Sequence, residues 1–532
     1  MSSLKDKLTL ANDNVPKTYE AGKSCKNLSD FSYFFYKNAR VSEMLSYINT
    51  RRGTNFSSMF EGCNNLTTIP NLNTSNGINF SGMFRDCKSL ASIPDLDTSK
   101  GKWFSGMFSK CAALTTVPEL NTTKGESFDS MFNECSSLTS IPDLNTSKNT
   151  NFNSMFNGCS KLTSIPELDT SMGTTFEHMF DGCNSLTSVP VLNTSKGVYL
   201  DGMFKNCSSL TSIPTLNLSA ARWFQEMFYG CTKLTSVPAF NISTGHDARH
   251  FTNMFYGCKS LTSIPEFNIA DGSFDSFDSM FRDCSALTSV PALNTSHGHT
   301  FAQMFEGCKK LTSIPKLNTR LGEKFEYMFR DCSALTSVPE LNTSNGISFE
   351  YMFKNCSSLT SVPYLNTNLG KTFTCMFDGC KKLTSIPNLD TNRGTDFIAM
   401  FRYCSVLTFV PSLNMSKASN CRLVFGYCSN LQTISQLDVS GSIDFTNTFI
   451  GCAALTNIKF IGTIKASIDF KNSSKLTADS LHSIINALYN NPTATCKLTL
   501  NSKSWTTLEA TTPPDGYSTW KEYITSKGWT YA

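Results

Sequence analysis

Residues 155–166 read Met-Phe-Asn-Gly-Cys-Ser-Lys-Leu-Thr-Ser-Ile-Pro, and the phrase returns with small changes along most of the chain. Met-Phe occurs in register fifteen times. Seventeen cysteines stand at 63, 87, 111, 135, 159, 183, 207, 231, 258, 284, 308, 332, 356, 380, 404, 428 and 452. Successive gaps are 24 residues, apart from 27 between Cys231 and Cys258 and 26 between Cys258 and Cys284. The consensus is F-x-x-M-F-x-x-C-x-x-L-T-S-[IV]-P-x-L-N-T-S-x-G-x-x. A fixed period of this length marks a stacked array. One unit cannot bury its apolar face alone, and stacked neighbours do so for each other. The fold class expected is an α/β repeat solenoid of about 17 rungs of 24 residues, roughly 80–90 Å long at strand spacing.

Within one rung, Phe56, Met59, Phe60 and Cys63 lie at i, i+3, i+4 and i+7, which predicts one face of a short helix. Leu66, Ile69 and Leu72 continue the apolar set through an extended segment in which Pro70 forbids helix and removes a donor. Asn73-Thr74-Ser75-Asn76-Gly77 supplies turn and capping chemistry. The rung expected is short helix, short strand, turn. Phe204, Met203, Cys207, Leu210 and Asn193 are its structural core in a central copy. Asn193 belongs to a column, with Asn73, Asn121, Asn145, Asn294, Asn342 and Asn366, expected to bond the backbone of neighbouring turns. Asp97, Asp169, Asp390 and Asp438 take the same place elsewhere, too scattered for a calcium site.

The ends depart from the pattern, as capped arrays require. Residues 1–34 read as an arm or docking segment. The array spans 35–460, with a degenerate first rung at 35–56 in which Ala39 stands for the cysteine. Residues 461–532 read as a C-terminal α/β cap. There Leu481, Ile484, Ile485 and Leu488 mark an amphipathic helix, residues 496–500 a strand, and Trp505, Trp520, Tyr523 and Trp529 an aromatic plug.

Hydrophobic residues are 40% of the chain and charged residues 17%, enough apolar mass for a continuous core. Net charge is +4, from 46 basic and 42 acidic residues, without the basic stripe of a nucleic-acid binder. No apolar run approaches the roughly 18 residues of a membrane span, so no membrane insertion is expected. Lys5, Asp6 and Lys7 interrupt the N-terminal apolar run that a secretory leader needs, so no leader is expected either. The repeat cysteines are read as reduced, buried and apolar in role.

The unit resembles the BspA-like leucine-rich repeat family, in the variant that reads M-F-x-x-C-x-x-L-T-S. Residues 155–166 are a good copy, and the likeness covers roughly residues 35–460. It departs from the commonest form, which has Leu-Asp-Leu-Ser where this chain has Ile-Pro-x-Leu-Asn-Thr-Ser. The family includes bacterial and protist surface proteins and bacteriophage proteins. The resemblance implies a leucine-rich-repeat-like fold and adhesion or recognition rather than catalysis, with no catalytic residues to carry over. Thr18-Tyr19-Glu20-Ala21-Gly22-Lys23 resembles an N-terminal motif of phage structural proteins. Those implications lead to a non-enzymatic virion component: a tail fibre, receptor-binding or capsid-associated protein. Its partners would be other virion proteins through the N-terminal segment and a host surface protein or glycan, with homo-oligomers possible. A bacterial or protist cell-surface adhesin is the alternative.

No catalytic residue, cofactor or metal is expected. His246 and His250 could hold zinc on a helix, but they fall in the insertion that lengthens one turn, and with the second insertion at 271–276 they read as a contact site. Stacking fixes the core columns, so recognition should lie in the variable ones. Tyr229 and Tyr256 share one column, with Tyr403 aligned one position from it, and Tyr327 and Tyr351 share another. Stacked tyrosines make a flat amphipathic platform for sugars or proteins.

Overall fold

The computed structural model describes residues 28–39, 41–45, 48–242, 251–266, 268–269, 275–492 and 495–532. They fall in two compact units, 1–272 and 273–532, divided within the second lengthened repeat. Each unit is a stack of rungs in parallel register. Isolated parallel bridges join Asn55 to Asn79, Asn79 to Trp103 and Trp103 to Ser127 in the first, and Thr300 to Lys324, Lys324 to Ser348 and Ser348 to Thr372 in the second.

The F-x-x-M-F-x-x-C segment is not a helix. It is two consecutive four-residue turns. Met59 N–H donates to Phe56 C=O (3.2 Å) and Cys63 N–H to Phe60 C=O (3.0 Å), and the third residue of each turn is left-handed, Ser58 at φ 52° and Gly62 at φ 74°. A positive φ there is the type II geometry. The intervening N–H groups leave the rung: Phe56, Ser58, Phe60 and Gly62 donate to the carbonyls of Asn79, Ser81, Met83 and Arg85, at 2.7–2.8 Å. An α-helix would consume these donors internally and leave none for the next rung. Two stacked turns place Phe, Met, Phe and Cys inward with the spacing of a helix face, which is why the pattern predicts one.

The following segment is extended but mostly unpaired. Leu66, Ile69 and Leu72 are buried and the residues between them exposed, a period of three that fits polyproline-II extension better than β alternation. Typical rungs share one backbone bond here, such as Ala91 N–H to Thr67 C=O at 3.2 Å. Among the described rungs the longer strands form where the proline is missing: β5 (Thr433–Asp438) and β6 (Asn457–Ile461) pair in parallel, with the two-residue β3 (Phe409–Val410) and β4 (Leu413–Asn414), which flank Pro411, alongside β5. Two short strands, β1 (Asn241–Ile242) and β2 (Asn268–Ile269), pair in the first unit. Proline has no N–H to give a ladder, so its absence restores one.

Phe204, Met203, Cys207 and Leu210 are fully buried. Phe204 stacks between Phe180 (5.5 Å) and Phe228 (5.6 Å) with rings within 8° of parallel. Asn193 is exposed, contrary to its place in the expected core. Its side-chain oxygen accepts from Ser195 N–H (3.1 Å) within its own turn. The ladder belongs to the next residue, a buried threonine. Thr295 Oγ1 both donates to Asn318 C=O (2.9 Å) and accepts from Asn318 N–H (2.8 Å), so one hydroxyl closes both backbone groups of the next rung. Thr194, Thr319 and Thr343 make the same donation. The glycine that ends this turn is needed for room: a Cβ on Gly77 would lie 2.3 Å from Phe80 Cζ.

Repeat thiols also donate, as from Cys87 Sγ to Phe60 C=O and from Cys207 Sγ to Phe180 C=O at 3.0 and 3.1 Å. Burial pushes the thiols up, Cys135 and Cys452 to about 12. They are therefore protonated and slow to react. Thiol titration of native protein is expected to label few repeat cysteines until denaturant is added; rapid native labelling of most of them would contradict this packing.

The first rung starts earlier than expected. Asp30 bridges to Asn55, Phe31 stacks on Phe56 (5.7 Å) and Phe35 on Phe60 (5.5 Å). Phe31, Phe34, Phe35 and Asn38 thus fill the Phe, Met, Phe and Cys places, so Asn38 rather than Ala39 stands for the cysteine, and residues 29–34 belong to the array rather than to an arm. A short helix α1 (Val41–Met44) follows. At the other end β7 (Ile468–Phe470), β8 (Cys496–Leu500) and β9 (Trp529–Tyr531) form a parallel sheet in the order 7-8-9. Around it lie α2 (Ala478–Ala487), α3 (Ser502–Glu509) and α4 (Trp520–Ser526). Leu481, Ile484 and Ile485 are fully buried on α2, and Lys527 Nζ, itself buried, donates to Asn486 and Leu488 carbonyls at its end (3.2 Å each). That places a cation where the helix dipole is negative.

Candidate binding surface

The turn spiral leaves four side-chain columns outside the core, and these vary. Tyr229 and Tyr256 stack at 4.7 Å between centroids in the first unit. In the second, Tyr327 stacks on Tyr351 (4.7 Å) and Tyr403 on Tyr427 (4.8 Å). Tyr427 escaped the sequence reading, although it lies 24 residues beyond Tyr403. Tyr327, Tyr351, Tyr403 and Tyr427 all sit at left-handed positions, φ 56–63°. Those columns are otherwise mostly Gly, Ser, Asn and Asp, which tolerate that region, whereas a bulky aromatic there is uncommon. His246 and His250 fall outside the described residues, as do residues 271–274 of the second insertion.

Cations and buried carboxylates brace the pairs of the second unit. Arg330 lies over Tyr327 (5.5 Å) and Tyr351 (5.8 Å), and Lys354 over Tyr351 (5.0 Å). Glu306, its side chain 8% exposed, lies between Arg282 (3.0 Å) and Arg330 (3.3 Å). Burial raises its carboxyl above the usual range, against the pull of both arginines. Asp378 accepts from Arg402 Nε (2.9 Å) and Nη2 (2.7 Å) and meets Lys354 at 3.4 Å. Arg402 in turn lies over Tyr403 (5.5 Å).

In the first unit a neighbouring turn column carries carboxylates, Glu177 and Asp201. Burial pushes Asp201 up to about 6, helped by Glu177 and Glu226, although it accepts from Gln225 N–H (2.7 Å). The ordinary value is 3.8, so between about pH 4 and 6 the folded chain holds a proton that the unfolded chain has lost. The contribution of Asp201 to stability therefore falls as pH rises through that window. Neighbouring His178 is held above 6.5 chiefly by its hydrogen bond to Asp181, and its contribution is lost only at higher pH. Asp201→Asn should raise the melting temperature at pH 7 and flatten its slope between pH 4 and 6; an unchanged slope would remove Asp201 as the cause.

A second feature lies on other columns of the second unit. A groove of about 730 Å³ runs along Asn294, Asn318, Asn342 and Asn366, with Lys316, Glu340 and Tyr364 among its lining. Tyr364 is 64% exposed. The sequence reading passed over it because it stands in the column after the proline, where most residues are small or charged. Trp103 and Tyr199, also exposed, stand in the bridge column of the first unit.

Stacked 24-residue rungs with a fixed interior and variable outer columns define a tandem-repeat protein. The model of a family described as "Mycoplasma protein of unknown function, DUF285" matches residues 29–141, 104–191, 126–239, 150–268, 275–383 and 362–460, well over half of the chain, and the chain belongs to that family. No curated protein matches it. Among solved structures it is similar to a leucine-rich repeat protein from Bacteroides ovatus (19% identity, 76% of this chain and 81% of that one, TM-score 0.28). It is also similar to an internalin from Listeria monocytogenes (14%, 68% and 98%, TM-score 0.21) and to a leucine-rich cell surface protein from Faecalibacterium prausnitzii (17%, 75% and 78%, TM-score 0.20). At these TM-scores the likenesses carry no argument of their own.

Proposed function

We propose that this protein is a non-enzymatic recognition scaffold that holds a macromolecular partner against the turn columns of its repeats. The observation that carries the reading is the Tyr327–Tyr351 pair. It places two aromatic rings at strained backbone positions, stacks them, and flanks them with Arg330 and Lys354. Packing does not require tyrosine there, since most rungs manage with small polar residues. Tyrosine and arginine together are the usual anchors of protein interfaces. The buried, protonated thiols support a role without nucleophilic chemistry.

The partner on this reading is a protein or glycan displayed on a host surface, and the protein works on the outside of a virion or of a cell. The virion placement is supported by residues 18–23 alone, which lie outside the described residues. The intact chain, screened on protein and glycan arrays, is expected to bind a partner that Tyr327→Ala/Tyr351→Ala loses by about tenfold or more with little change in melting temperature. Equal binding of every partner found, proteins included, by the double variant would overturn the assignment of these columns.

A further inference from the structure

The groove along Asn294, Asn318, Asn342 and Asn366 shares no residue with the tyrosine columns, and its chemistry differs. We propose that it binds a neutral oligosaccharide chain lying along the stack. The inference stands apart from the partner reading above.

The asparagine amides are pre-set as donors. In each, the side-chain oxygen accepts from the backbone N–H two residues on: Ser296 (3.2 Å), Arg320 (3.3 Å), Ser344 (3.1 Å) and Asn368 (3.2 Å). An N–H can only donate, so the atom facing it is the oxygen, and the NH₂ is turned outward. None of these four amide nitrogens has a partner among the described residues. The result is a row of oriented donors at one per rung. Donors fixed before binding lose little freedom when a ligand arrives.

Three further features select the ligand. Lys316 and Glu340 are opposite in sign, so the lining has no net formal charge and offers nothing to an anionic or cationic polymer. Tyr364 has no ring or ion partner among the described residues and leaves its ring open for stacking. The donor spacing then separates sugar from peptide. An extended peptide along the stack shows same-side carbonyls every two residues, about 6.6 Å, out of step with rungs about 4.8 Å apart. A pyranose chain carries hydroxyl, ring and bridging oxygens on every edge, so an acceptor is available at each rung, and its apolar ring face suits Tyr364.

The full-length chain should be titrated by calorimetry with neutral malto-, cello-, manno- and chito-oligosaccharides of two to six sugars, and with a library of unstructured decapeptides. At least one sugar series is expected to bind, with affinity rising with length until the row of four amides is covered. Tyr364→Ala should weaken it about tenfold. Asn318→Asp with Asn342→Asp keeps the turn oxygen but replaces each donor by an acceptor, and should weaken binding by about 30-fold or more. The fold tolerates that exchange, because Asp390 and Asp438 occupy the same column and make the same turn bond, to Asn392 N–H (3.0 Å) and Ser440 N–H (3.1 Å). Tyr327→Ala/Tyr351→Ala should leave sugar binding unchanged, which separates the two sites. Binding of peptides alone, of no sugar at all, or of sugars equally by the Asp and Ala variants would overturn the proposal.

Discussion

Phe204→Ala lowers stability by about 3–5 kcal/mol, the usual cost of emptying a fully buried aromatic site. The ring has no exposed atom and is stacked on both sides, against Phe180 and Phe228. A void there costs transfer energy, two ring stackings and dispersion on both sides. Neighbouring rungs cannot close the gap, because their spacing is set by backbone bonds such as Phe204 N–H to Met227 C=O at 2.9 Å. In a quasi-one-dimensional stack the loss should centre on the mutated rung and those beside it. Hydrogen exchange by mass spectrometry checks this: protection should fall most between about residues 177 and 231. A uniform rise across both units would contradict nearest-neighbour stacking.

Asp378→Ala destabilises the second unit by about 2–3 kcal/mol, below the full cost of breaking a buried pair because its partners are partly solvated. Asp378 is 2% exposed, while Arg402 and Lys354 are 29% and 20% exposed. Its removal leaves two cations facing each other beside Tyr351 and Tyr403. The loss should persist at 1 M salt, since screening reaches buried charges poorly. Urea unfolding of wild type, Asp378→Ala and Asp378→Asn at low and high salt decides it. The asparagine variant should recover part of the loss through its side-chain oxygen. A penalty that vanishes at high salt would make this an ordinary surface pair.

Much of the fold was legible because the period is strict. The inward columns, the amphipathic helix marked by Leu481, Ile484 and Ile485, and the strand at 496–500 followed from apolar spacing, while Leu488 falls just past the helix end. The rung's secondary structure did not. Phe, Met, Phe and Cys at i, i+3, i+4 and i+7 are shared by a helix face and by two successive turns. The distinguishing signal was present two residues after each phenylalanine, where Gly82, Gly106, Gly158 and Gly182 recur. Such residues favour the left-handed region and disfavour a helix interior. The asparagine column was misjudged for a similar reason. Its neighbour threonine is as regular, and which of two alternating residues faces inward depends on a register that composition alone does not set. The cysteine place of the first rung was off by one residue because an extra residue separates Asn38 from Cys63.

The candidate surface was half legible. Tyr327 and Tyr351 stood out by their shared column, but the charges that brace them come from a different column and meet only after folding. Tyr364 and the asparagine row become a site through a turn that fixes each amide, which no residue pattern announces.

The bonding of the turn spiral also bears on how such a chain can change length. A typical rung hands its successor the same four N–H groups, two aromatic faces and one threonine hydroxyl, and receives the same set from its predecessor. Removing or duplicating a block of 24 residues therefore leaves the backbone bonds and core stacking of the remaining junctions unchanged. A shift of one or two residues within the spiral would instead misalign all four donors. Copy number is thus a free variable in this architecture while phase is not, and relatives of different reach can arise by whole-repeat gain or loss without redesign of the core.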